Sequence, residues 1–133
     1  MATAIRAIDA DGHIFERPDE IRPYLDKRWS NRTTNLWPGG QPWDTELSGK
    51  LKLPYDYNRG MGAKEQRELW TRICDEHELD KAVLFPTGSG NCSKNQEVDY
   101  ARDVCRAINR HLAADYMTDR LFPVGALPLR DPQ

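Results

Sequence analysis

The chain has 133 residues, 38% of them hydrophobic and 30% charged, with a formal net charge of −2. That balance describes a globular domain with a real core and excludes a disordered segment. Both charge signs are interspersed, so neither nucleic acid nor an anionic membrane meets a basic field.

No apolar run approaches the roughly 18 residues of a membrane span, and the N-terminus lacks the apolar centre of a secretory signal, which makes the cytoplasm the expected compartment. Cys74, Cys92 and Cys105 are odd in number and without paired spacing, so neither a disulfide framework nor a zinc ribbon is indicated. Cys74 and Cys105 fall in expected helices as small packed side chains, and Cys92, in the polar loop Gly88 to Ser93, is expected to be the exposed one.

Residues Ile5 to Ala10 alternate weakly and predict a first strand, which runs on through Ile8-Asp9-Ala10-Asp11-Gly12-His13-Ile14. Side chains two apart on a strand share a face, so Asp11 and His13 are expected side by side, with Ile8, Ala10 and Ile14 packed nearby. A carboxylate and an imidazole so placed can share a divalent ion such as zinc or manganese, at about 2.0 to 2.2 Å from each. Gly12 between them is expected to leave room for substrate. The alternative is a plain turn in which the Asp bonds its own backbone.

A Pro-, Gly- and aromatic-rich excursion then extends over residues 14–62, longer than structureless loops in compact domains usually are. A short helix is expected within Asp19 to Trp29, with Ile21, Tyr24, Leu25 and Arg28 at helical spacing and Pro23 confined to its first turn. Trp29, Trp37, Trp43, Tyr55 and Tyr57 alternate with Arg28, Arg32, Lys50 and Lys52. The set suits either an aromatic carboxylate substrate met by a cation, or a local mini-core or subunit contact.

The spacing predicts a helix over Ala63 to His77, with Leu69, Trp70, Ile73 and Cys74 inward and His77 complementing the helix dipole. The apolar run Ala82 to Pro86 predicts a buried parallel strand. Pro86-Thr87-Gly88-Ser89-Gly90 follows it, lacking the phosphate-loop fingerprint but offering backbone donors to substrate oxygens. Asn95 or a neighbouring residue is expected to cap a helix over Gln96 to Tyr116, with Val98, Ala101, Val104, Cys105, Ile108 and Leu112 inward and His111 on a solvated face. Asp119-Arg120 opens a third strand in Leu121 to Leu127, expected to be bounded by Val124 to Leu127 with an irregular start, because Pro123 argues against a central strand and Gly125 weakens it. Asp131-Pro132 has the form of a helix start.

The stretches AIDADGHIFE, DKAVLFPT and RLFPVGALPLRDP resemble the amidohydrolase-related branch of the metal-dependent amidohydrolases, which includes decarboxylases of aminocarboxymuconate semialdehyde and of hydroxybenzoates. The resemblance implies an α/β fold, the N-terminal portion of a metal-dependent (β/α)₈ TIM barrel. Such a barrel takes about 250 residues, so residues 1–133 are expected to form a single partial domain of about three βα units.

The resemblance further implies zinc or manganese bound by Asp11 and His13, with Glu16 at a place where relatives commonly carry an acid. It implies hydrolysis or non-oxidative decarboxylation of a small carboxylated or aromatic substrate. Arg17 and Asp19 read as solvated charges. On this reading the chain is a fragment, inactive alone, that forms a homo-oligomer or needs a complementary C-terminal chain. The rival is a non-catalytic α/β module that pairs with a second polypeptide. A Ser or Cys hydrolase is disfavoured because no Gly-x-Ser-x-Gly elbow is present.

Overall fold

The alternating run around Asp11 forms the first strand, β1 (Ala7–Ile14), in a computed structural model that describes residues 7–33, 35–37 and 60–130. A one-turn helix, α1 (Pro18–Ile21), follows, with Pro18 opening it and Pro23 in the succeeding 3₁₀ turn. Helix α2 (Ala63–Glu76) precedes β2 (Leu79–Pro86), and α3 (Val98–His111) precedes β3 (Leu121–Pro123). All pairing is parallel and sheet order follows chain order, β1-β2-β3. The α/β class expected from the sequence is therefore present as a small three-stranded parallel sheet with helices.

Register explains which side chains reach the core. Asp9 pairs with Ala82 and Gly12 with Leu84, so Ala10 and Asp11 together oppose the single residue Val83. This bulge carries one extra residue and inverts the alternation across it. Gly12 and Ile14 face the helices, whereas Ile8 turns to the opposite face and is 59% exposed, and Ala10 is exposed as well. Ile14 packs as the sequence led one to expect; Ile8 and Ala10 do not. Gly12 also departs from expectation, because a Cβ there would meet Trp70 Cη2 at 2.8 Å and Leu84 Cδ2 at 2.9 Å. Its lack of a side chain serves the approach of α2 to the sheet, not the entry of substrate.

Helix α2 buries Ala63, Gln66, Trp70 and Cys74, a stripe at spacings of three and four, while Leu69 and Ile73 are only half-buried. Its first turn is capped from α1: the Glu20 carboxylate accepts from Ala63 N at 3.1 Å, where orphan donors and the dipole favour an anion. Helix α3 starts two residues later than expected. Val98 is exposed, the N-cap position falls to the neighbouring Glu97 without a side-chain cap bond, and Asn95 donates to the Leu36 carbonyl at 2.8 Å.

A π-helical turn, Leu112–Tyr116, ends α3, and His111 before it is fully buried. Its Nδ1 lies 2.8 Å from Asp115 Oδ2, which also accepts from the Tyr24 hydroxyl at 2.8 Å. The expected solvated face is thus covered by the segment that follows α1. Ile21 at the end of α1 and Leu36 and Trp37 of that segment join the core, with Tyr24, Leu25 and Trp29 packed against it. For Trp29 and Trp37 the mini-core reading describes their surroundings; Trp43, Tyr55, Tyr57, Lys50 and Lys52 lie outside the described residues, as does the Asp131-Pro132 step.

Strand β3 comes earlier than expected, over Leu121–Pro123, and residues after it are irregular. Ala82 N donates to Arg120 O and Val124 N donates to Leu84 O, so residues of even number bond to β2 and Pro123 turns its nitrogen to the outer edge. There a missing N–H costs no ladder bond.

Candidate functional site

Parallel pairing brings the C-terminal ends of β1 and β2 together, the end at which α/β sheets place ligands. Asp11 and His13 project from one face of β1 there, with Asp11 Oδ1 3.7 Å from His13 Nε2. The i, i+2 spacing and the shared face anticipated from the sequence are realised. His13 pairs in register with Phe85, whose ring centroid is 6.1 Å from the imidazole.

Contacts from β2's end and from α2 hold His13. Its Nδ1 lies 3.1 Å from Thr87 Oγ1, and Thr87 N donates to the Ile14 carbonyl at 3.0 Å, holding the threonine against the strand end. On the helix side, Trp70 Nε1 donates to the His13 carbonyl at 3.1 Å. Just beyond, the buried Gln66 amide accepts from Phe15 N at 2.9 Å and donates to Phe15 O at 2.8 Å and to Met61 O at 3.0 Å. A fully satisfied buried amide of this kind sets the exit of β1 in one orientation. Thr87, Trp70 and Gln66 were not foreseen as positioning residues. Thr87 was findable, since it directly follows the strand that pairs with β1.

Glu16 stands apart from the exposed pair. It is 4% exposed, and its carboxylate accepts from Gly88 N at 2.9 Å, Ser89 N at 3.4 Å and the Ser89 hydroxyl. Burial pushes the Glu16 pKa up against the pull of these donors. The backbone donors expected to meet substrate oxygens thus meet the buried Glu16 carboxyl group, in a concave arrangement of successive N–H groups. Gly88 allows this, because a Cβ would lie 3.1 Å from Trp37 Cζ2 and 3.4 Å from Glu16 Oε2.

Cys92, expected to be exposed, is 1% exposed. It belongs to the 3₁₀ turn Ser89–Lys94 that continues from the Glu16 contacts, and its sulfur lies 3.1 Å from Cys105 Sγ on α3. A polar loop composition misplaced it because the loop folds inward onto Glu16. Cys74 and Cys105 are buried, as expected. Arg17 and Asp19 form an exposed ion pair with each other at 2.7 Å.

Two ligands about 2.1 Å from a tetrahedral ion stand roughly 3.4 Å apart. The Asp11–His13 separation of 3.7 Å fits such an arrangement with little movement. Among the described residues no group of three or more His, Cys, Asp or Glu side chains converges on a metal position. No helix of the described residues is long and apolar enough to cross a membrane. Comparison with protein-family models and with curated proteins finds no match to this chain.

Proposed function

We propose that the chain carries the strand-one metal ligands of a hydrolase or non-oxidative decarboxylase of the amidohydrolase-related type, acting on a small carboxylated or aromatic substrate. The observation that carries this reading is the Asp11–His13 pair on one face at the C-terminal end of a parallel strand, with the second imidazole nitrogen held by Thr87. Asp11 and His13 would hold zinc or manganese. Thr87, accepting from Nδ1–H, would select the tautomer in which Nε2, the nitrogen nearer Asp11, is the basic one. Bound there, the ion supplies Lewis-acid polarisation of a water or of a substrate carboxylate. Glu16, tied to the Gly88–Ser89 backbone, would act by fixing the adjoining loop rather than by moving a proton.

The test is turnover of small aromatic carboxylates with zinc or manganese, by the chain alone and joined to whatever coding sequence follows it. Metal-dependent turnover that disappears in Asp11→Ala and in His13→Ala supports the proposal. Turnover unchanged by both substitutions refutes it.

A second reading, a non-catalytic module that pairs with another polypeptide, draws on the sheet face opposite the helices. Ile8, Phe85 and Phe122 on that face are 59%, 36% and 37% exposed, with the Lys81 ammonium over the Phe122 ring at 5.0 Å. Strands β1 and β3 each present an outer edge with no neighbouring strand among those residues, a template for pairing. A strictly monomeric mass in solution at all concentrations, with no partner recovered, counts against it.

A further inference from the structure

The three cysteines are not equivalent. All are buried, but Cys92 and Cys105 place their sulfurs 3.1 Å apart, while Cys74 lies on α2. A disulfide requires about 2.05 Å between sulfurs, so joining this pair takes a shift of about 1 Å. Cys92 sits in the six-residue 3₁₀ turn Ser89–Lys94, whose hydrogen bonding is weaker than that of an α-helix and which can yield that shift. Cys105 sits mid-helix on α3, a rigid partner.

We propose that Cys92 and Cys105 are a reversible oxidation site, joined by peroxide into an intrachain disulfide that staples the Ser89–Lys94 turn to α3. The chemistry runs in two steps. The Cys105 thiolate attacks one peroxide oxygen, the O–O bond breaks, and a proton taken up by the departing oxygen gives water and a Cys105 sulfenic acid. The Cys92 sulfur then attacks the Cys105 sulfur, the S–O bond breaks, and the departing hydroxide leaves as a second water with the Cys92 proton. Two thiols have lost two electrons, and hydrogen peroxide has accepted them.

The order of the steps follows from the contact. A Cys92 S–H donated to Cys105 favours the Cys105 thiolate and brings its pKa below that of an ordinary thiol, whereas the same bond and burial push Cys92 up. Peroxide is small and reaches the pair through local opening of the turn. The turn starts at Ser89, which with Gly88 holds Glu16, so the staple also stiffens the loop beside β1. This site does not depend on metal binding at Asp11 and His13.

The test treats the reduced, desalted full chain with hydrogen peroxide at levels that fully oxidise free cysteine. Free thiols counted in denaturant should fall from the three in the sequence to one. The intact mass should drop by two hydrogens, a non-reducing digest should join the Cys92 and Cys105 peptides, and dithiothreitol should restore every thiol. The Cys74→Ser chain should give the same link, and the oxidised chain should melt at a higher temperature than the reduced one. Three surviving thiols, a link that involves Cys74 or a second chain, or irreversible over-oxidation of either cysteine in place of the link would each overturn the proposal.

Discussion

Glu16 shows how a single side chain can be satisfied and still costly. Its carboxylate has backbone and hydroxyl donors, yet burial dominates and its folded pKa lies above the ordinary value of 4.5. The folded chain therefore holds this proton more tightly than the unfolded chain does. The stability it contributes is complete below about pH 4.5 and is lost as pH rises through the folded value. Melting temperature followed from pH 4.5 upward should fall in the native chain and stay flatter in Glu16→Gln, and parallel curves would contradict this. Asp103 has the opposite sign. Burial works to raise its pKa, but donation from Trp29 Nε1 at 2.8 Å and Arg28 Nε at 2.9 Å overrules it, so it lies below the ordinary value of 3.8. Its contribution is present above that value and lost as pH falls through the folded pKa. Asp103→Ala should cost about 1–3 kcal/mol in denaturant unfolding near neutral pH, because the part-buried Trp29 donor is left without its acceptor. A change below about 0.5 kcal/mol would contradict the tie.

Between elements, close approach is decided at Gly12. A methyl group there would press on the side chains of Trp70 of α2 and Leu84 of β2 and on the Val83 carbonyl at 2.9 Å, which is backbone and cannot withdraw without moving β2. Gly12→Ala should therefore destabilise by about 1–3 kcal/mol, measured by denaturant unfolding, and an unchanged midpoint would show that α2 does not sit so close. Element order, the parallel strands and the shared face of Asp11 and His13 were legible in the sequence, because they follow from period and from i, i+2 spacing. The bulge at Ala10-Asp11 was not, since it exists only in the register between β1 and β2. His111 was misread for a similar reason: its own helix marks it polar, and only the fold of Arg22–Tyr24 and its neighbours onto α3 buries it. Cys92 was misread because loop composition reports on solvent, and here the loop turns its polar groups toward a buried carboxylate.

At the scale of the whole molecule, helices pack on one sheet face among the described residues, while the other face carries Asp11 and His13 beside the exposed apolar side chains of Ile8, Phe85 and Phe122. Two converging protein ligands are fewer than the three or four of a tight zinc site, so the account requires weak binding centred on this pair. Zinc titration followed by nitrogen-15 resonances of the three histidine rings tests this most directly, because His13, His77 and His111 report separately. The account predicts that His13 Nε2 shifts first, with low affinity, and that Asp11→Ala abolishes the shift while Thr87→Ala weakens it. Tight binding that persists after loss of both Asp11 and His13, or a His13 resonance unmoved at saturating zinc, would contradict it.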